Sequence, residues 1–412
     1  MNRATSNRLL YILFIAQSMF SASQIAVGTL AAIVAVRLAG TESVAGIPSS
    51  ATTFSQALMA FPIALLMGRY GRRVGLSLGY GLGALGGLVG LVAIAHLSFP
   101  LLLVSSILLG VSRGSADQGR FAAGEMFPEN ERARMIGRLV FAGTIGAVVG
   151  PVLVVPSGNL LGSLGQNPDM GPWAGAFILS ALSGLLIFFL LRPDPMLIAR
   201  TIATETNKSE VQQPARPLAL LLMLPKVQLA IIAALVCQTV MVVLMVMTPL
   251  YMDHHQHGRD HISLVIAAHT LGMYGLSAVT GYLIDRFGRI STLYAGALVI
   301  ILSAVLSPLS ANEYVLAATL FLLGLGWNFG YVASSSLLAD ALRGSERTRV
   351  QGINDALVFL AAGFGSLASG PLFAFGGYAA ISYIGIVLAV MLMGFISRLG
   401  RPQVEPAITN AQ

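Results

Sequence analysis

The sequence is poor in charge and nearly devoid of cysteine. Only 10% of its 412 residues are charged and 56% are hydrophobic, with a mean hydropathy of +0.80; ordinary soluble domains carry about a quarter charged residues. That scarcity excludes a soluble enzyme. A single cysteine, Cys237, excludes an intrachain disulfide and leaves either inert packing or a soft metal ligand. No loop carries a nucleophile beside a base, a phosphate cradle or a metal-water site, so neither catalysis nor a resident cofactor is expected. The polar start, Met1 to Arg8, precedes a long apolar span without a small-residue cleavage site, and is expected to be retained rather than removed as a leader.

What the chain does have is long apolar stretches. They recur from Leu9 to Ile396, each about 20 residues, enough to cross roughly 30 Å of hydrocarbon as a helix. Twelve spans are expected, near 9–38, 46–67, 75–96, 99–124, 135–156, 172–191, 226–250, 262–284, 291–309, 314–339, 353–375 and 377–397. The fold class is therefore an all-α membrane protein. The net charge of +7 follows from topology rather than from a nucleic-acid partner. Arg3, Arg8, Arg69, Arg72, Arg73, Arg132, Arg134, Arg138, Arg192 to Lys226, Arg286, Arg289, Arg343, Arg347, Arg349, Arg398 and Arg401 fall in alternate connections, and only Arg37 and Arg259 fall in the others. Cationic loops stay in the cytoplasm, which puts both termini there, in a bacterial inner membrane.

The chain repeats itself at an offset of about 215 to 220 residues, a period that marks duplicated architecture. Glu131-Arg132-Ala133-Arg134 pairs with Glu346-Arg347-Thr348-Arg349, Arg69-Tyr70-Gly71-Arg72 with Arg286-Phe287-Gly288-Arg289, and Gly150-Pro151 with Gly370-Pro371. The expected organisation is a six-helix half over 1–192, a cytoplasmic linker over 193–225, a second half over 226–398 and a tail over 399–412. The linker carries Thr201, Thr204, Thr206, Asn207, Lys208, Ser209, Gln212 and Gln213 and no catalytic constellation.

Gly281-Tyr282-Leu283-Ile284-Asp285-Arg286-Phe287-Gly288-Arg289 resembles the signature of the major facilitator superfamily between its eighth and ninth spans. The earlier copy departs from it, with Gly68 where the signature has its aspartate. The resemblance covers nearly the whole chain and implies two pseudo-symmetric halves that alternate access to the two sides. It also marks Gly146 to Pro151 as similar to a motif of antiporters, although small residues at this spacing equally serve close helix packing. Asp285, Arg286 and Arg289, with the repeat-related Glu125 and Asp340, are expected to form cytoplasmic gate contacts joining the halves in the outward-open state, or else to be ordinary interfacial charges.

One segment gathers five of the six histidines: Met241, Met245, Met247, Met252, His254, His255, His257, His261, His269 and Met273 follow one another there. Cys237, Met241 and Met245 are four apart on span 7, and His269 and Met273 four apart on span 8, so each set shares a helix face. Helical rise puts Met241 about 14 Å and His269 about 12 Å deep, with Cys237 and Met273 both about 18–20 Å deep. Thioether, thiol and imidazole select Cu(I), whereas methionine alone is common apolar filler. A histidine at that depth is costly and points to function. The MxxxM and HxxxM pair resembles the CcoA-like bacterial copper importers. That resemblance implies copper uptake, free or as a small complex, with Met241 and His269 as central ligands, Met245, Met273 and Cys237 assisting, and delivery to a copper chaperone for oxidase assembly. Met252, His254, His255, His257 and His261 form a candidate outer capture loop, or a solvated turn.

Arg113, Asp117 and Arg120 follow at spacings of four and three on span 4, which predicts one shared face that turns into the cavity or pairs internally. Such charge suits proton coupling or an anionic solute and opposes a bare Cu(I). Asp355 on span 11 is a relay candidate or a helix-start residue. The competing function is proton-coupled export of a small organic compound.

Overall fold

The computed structural model describes residues 3–205, 216–342 and 344–400. Thr206, Asn207, Lys208, Ser209, Gln212 and Gln213 of the expected linker, Arg343, and the tail from Arg401 onward lie outside the described residues. Among the described residues the structure is helical with no strand. The helices are α1 (Arg3–Ala39), α2 (Ile47–Tyr70), α3 (Arg72–Ala95), α4 (Phe99–Asp117), α5 (Gly119–Glu125), α6 (Glu129–Val152), α7 (Val154–Ser163), α8 (Gly171–Leu190), α9 (Pro195–Glu205), α10 (Leu218–Met223), α11 (Pro225–His254), α12 (Arg259–Tyr274), α13 (Ser277–Phe287), α14 (Arg289–Leu306), α15 (Glu313–Ala341) and α16 (Gly344–Leu399).

Among the described residues, eleven helical stretches are long and apolar enough to cross a membrane. The last spans 51 residues and turns at Gly376–Gly377, where Gly377 has φ of 62°, so it crosses twice and the total is twelve. Three crossings are broken rather than continuous, a feature that unbroken apolarity conceals. Between α6 and α7 the cause is Pro156, which offers no N–H to the carbonyl of Val152. Gln118 separates α4 from α5, and Gly275–Leu276 separate α12 from α13. The short turns α2–α3 and α13–α14 use Gly71 and Gly288 at φ of 97° and 85°, backbone conformations that side chains rarely adopt. These are the repeat-related glycines, and the duplicated sequence builds a duplicated turn.

The arginine-rich end holding those turns is here called the basic end; the opposite end holds the α11–α12 turn and is called the histidine end. Apolar side chains such as Leu58, Phe61 and Leu65 on α2 stay exposed and supply the surface that hydrocarbon covers.

Helices approach closely where glycine removes a side chain. A Cβ at Gly146 would collide with the Ser18 carbonyl of α1, and one at Gly150 would sit 2.6 Å from the Ala22 carbonyl. Ser18 and Ser21 donate from the other side to the carbonyls of Ala142 (2.9 Å) and Gly143 (2.7 Å). The antiporter-like motif thus seats α6 on α1. Gly146→Ala should cost about 1–3 kcal/mol by overpacking and lower the melting temperature in detergent. Gly137→Ala on the same helix, where nothing lies within 4 Å, should leave it unchanged.

Candidate functional site

At the basic end, charges pair locally. Arg72 binds Glu125 (2.5 and 3.0 Å) and Arg289 binds Asp340 (2.9 Å), one pair per repeat. Arg3 binds Glu131 at 2.8 Å, and Arg216 binds Glu346 at 2.8 Å. Each of these pairs stays within one half or ties down the linker. Asp285 is exposed, and Arg286 donates to the Tyr282 hydroxyl at 2.9 Å. Asp194 accepts from the backbone N–H groups of Arg72 (3.1 Å) and Arg73 (2.9 Å), capping α3.

Contacts between the halves gather at the histidine end. Asp169, whose side chain is only 8% exposed, receives Arg37 on one carboxylate oxygen (2.5 Å) and Arg259 on the other (2.6 and 2.9 Å). Arg37 reaches across to Asp253 as well, at 2.7 Å. The two arginines that depart from the one-sided charge pattern are therefore latch residues, and their carboxylate partners, Asp169 in a connecting turn and Asp253 at the end of α11, carried no signal in the sequence. Close backbone packing reinforces the latch. Ser50 donates to the Gly363 carbonyl (2.8 Å) and Ser366 to the Gly46 carbonyl (3.0 Å).

The methionine and histidine positions fall as follows. α11 extends to His254 and α12 begins at Arg259, so Met241 lies about 20 Å and His269 about 15 Å from the helix ends, deeper than expected. His269 is fully buried, and its Nδ1 lies 2.9 Å from the Leu320 carbonyl of α15. A carbonyl only accepts, so Nδ1 carries the proton and Nε2 holds a free pair; that atom has no hydrogen-bond partner among the described residues. The Met273 carbonyl accepts from Asn328 of α15 at 2.6 Å. Cys237, on α11, packs against Gly330 of the same helix α15. α15 thus stands between the two ligand faces. Leu320 and Gly330 are about 15 Å apart along its axis, so His269 and Cys237 are not brought together. Met241 is buried and Met245 half-buried in the core around them.

The expected outer loop is mostly helix. Met252, His254 and His261 belong to α11 and α12, and Met252 is fully buried, which removes its sulfur from the mouth. His254 lies 3.4 Å from Glu42, and His255 lies 2.9 Å from the Tyr251 carbonyl. His257 and His261 remain together, with ring centroids 5.8 Å apart.

The charged residues of span 4 converge with groups from the opposite half. The break at Gln118 puts Arg120 on α5, one short helix beyond Arg113 and Asp117. Gln56 of α2 donates to Asp117 at 2.7 Å. Arg113 is exposed about midway along its crossing, where lipid exposure would be expensive, so it faces the space between the halves. Tyr274 of α12 lies within electrostatic reach of Arg113 and Asp117. Tyr331 of α15 feels Asp355, Arg120 and Asp117, and Asp355 of α16 feels Arg120 and Asp117. Behind this meeting point is an aromatic stack. Trp327 and Tyr331 are stacked at 4.8 Å and 12°, Tyr274 meets Trp327 edge-on at 6.0 Å, and the Trp327 indole donates to Gln238 of α11 at 2.8 Å. Tyr331 is 39% exposed, with one ring face against Trp327. Tyr274, Trp327, Tyr331, Gln56 and Gln238 had no distinguishing pattern in the sequence.

Comparison with known proteins agrees with this architecture. The family model described as the Major Facilitator Superfamily matches residues 13–259 and 229–411. The uncharacterised MFS-type transporter YdeG of Bacillus subtilis (strain 168) is 35% identical over 395 residues, covering 94% of this chain and 90% of that protein. The riboflavin transporter RfnT of Brucella anthropi is 30% identical over 398 residues, 96% of each chain. A crystal structure of a mutant of the nucleoside transporter NupG superposes with a TM-score of 0.75 at 14% identity, covering 95% of this chain and 100% of that one. The duplicated helical plan and these matches together establish the chain as a multi-pass, non-enzymatic transport protein that belongs to the Major Facilitator Superfamily.

Proposed function

We propose that the chain carries a planar heteroaromatic solute of the flavin kind across the bacterial inner membrane by alternating access. The observation that carries this reading is the partly exposed ring of Tyr331, stacked on Trp327 and within electrostatic reach of Asp117, Arg120 and Asp355, with Arg113 beside the neighbouring Tyr274. An aromatic platform beside cationic and hydrogen-bonding groups suits a flat, polar-edged ring and does not suit a bare soft cation. The 30% identity to a riboflavin transporter over nearly the full chain supports the same solute class. The one-sided arginines argue for cytoplasmic termini. With the latch at the histidine end closed, the solute would exchange at the basic end, and the halves 1–192 and 226–398 would rock about it with 193–225 as linker. Asp117 or Asp355 would carry a coupled proton.

A second reading, inward movement of copper along Cys237, Met241, Met245, His269 and Met273, has one observation in its favour: the buried, unpartnered Nε2 of His269. A copper chaperone would then receive the ion. Proteoliposomes separate the two. The first reading expects saturable uptake of radiolabelled riboflavin, competed by unlabelled flavin, with copper at background. Copper flux that His269→Ala abolishes, with flavin at background, would overturn it.

A further inference from the structure

We propose that His257, His261 and Glu313 form a transition-metal site at the histidine end, suited to a divalent ion of the zinc class and independent of the solute carried. One ligand atom from each lies within 4.8 Å of the others, and all three residues are half-buried. They come from two separate turns. His257 sits in the α11–α12 turn and His261 in the first turn of α12, while Glu313 opens α15. The Glu313 mount is fixed, because the Asn312 side chain accepts from the N–H groups of Tyr314 (3.0 Å) and Val315 (3.3 Å).

The hydrogen bonding of His257 sets the chemistry. Its Nε2 lies 2.6 Å from the Ala311 carbonyl, which only accepts, so the neutral ring keeps its proton there. The lone pair is then on Nδ1, which faces a Glu313 oxygen at 3.8 Å. Two electron-rich atoms facing one another beyond hydrogen-bond range leave room for a cation between them. Tetrahedral zinc with bonds near 2.1 Å needs ligand atoms about 3.4 Å apart; His257 and Glu313, at 3.8 Å, are close to that, and the full set, within 4.8 Å, draws in by at most about 1.4 Å to close. The Ala311 carbonyl supplies the outer partner that fixes a ligating imidazole, and Asp260, 3.5 Å from His261, supplies another. Two imidazoles and a carboxylate suit zinc better than Cu(I), because the nearby sulfur of Met252 is buried. His254 and His255 are turned toward Glu42 and the Tyr251 carbonyl and take no part.

The test is calorimetric titration of the full chain in detergent, purified without a histidine tag, with zinc chloride. One ion per chain is expected. His257→Ala and Glu313→Gln should each weaken binding about tenfold or more, Glu313→Gln with melting temperature unchanged, and His254→Ala and His255→Ala should leave binding intact. Absence of stoichiometric binding would overturn the assignment, as would binding that persists in His257→Ala and Glu313→Gln or that is lost in His254→Ala or His255→Ala.

Discussion

Tyr331→Ala is expected to raise the half-saturating riboflavin concentration by roughly tenfold to a hundredfold. The variant removes the partly exposed ring, and losing one aromatic platform under a planar ring costs about 1–3 kcal/mol. Tyr331→Phe keeps the face and should keep most of the transport. Arg113→Ala should add a loss of its own, because the guanidinium is within electrostatic reach of Tyr274, in the other half. Initial rates in proteoliposomes, normalised to folded protein by size exclusion, are the measurement. Flavin transport that is unaffected by both Tyr331→Ala and Arg113→Ala would remove the aromatic cavity from consideration as the solute site.

Asp169→Asn is expected to shift the conformational equilibrium toward opening at the histidine end. Its carboxylate is nearly enclosed and serves two arginines at once, and breaking a buried pair on one side costs about 3–5 kcal/mol. Arg37 and Arg259 are 48% and 36% exposed, so solvent recovers part of that. About 2 kcal/mol remains, roughly a thirtyfold change in the ratio of states. Spin labels at Ser163→Cys and Leu309→Cys, on opposite halves at that end, report it as a growing population of long distances. The native Cys237 is buried and stays unlabelled. Asp253→Asn, which releases a single arginine contact, should have a smaller effect. An unchanged distance distribution in Asp169→Asn would show that the latch does not hold the halves.

Much of the fold was legible because burying backbone in hydrocarbon demands long apolar helices, and twelve of them stood in the sequence. The breaks at Gln118, Leu153 and Gly275 were not, because apolarity runs through them while the backbone does not. His269 could be singled out because a polar ring in a span is costly. Its partner could not, because that partner is the backbone carbonyl of Leu320, which any residue supplies. Arg113, Asp117 and Arg120 were visible as intramembrane charge. The aromatic stack facing them was not, since Tyr274, Trp327 and Tyr331 lie in spans where aromatic residues are ordinary. Glu313 likewise looked like any helix-start carboxylate until the α11–α12 turn was placed beside it.

The arrangement of the latch also bears on how easily it can part. Arg37 and Asp169 belong to the first six crossings and their connections, Asp253 and Arg259 to the last six, and the chain of contacts runs Asp253, Arg37, Asp169, Arg259. Cutting that chain at the seam leaves one cation and one anion on each side. Within that chain of four neither side keeps a net charge, so the outward swing is opposed mainly by the short-range pairs themselves, which His254 and Glu42, 3.4 Å apart, join across the same seam.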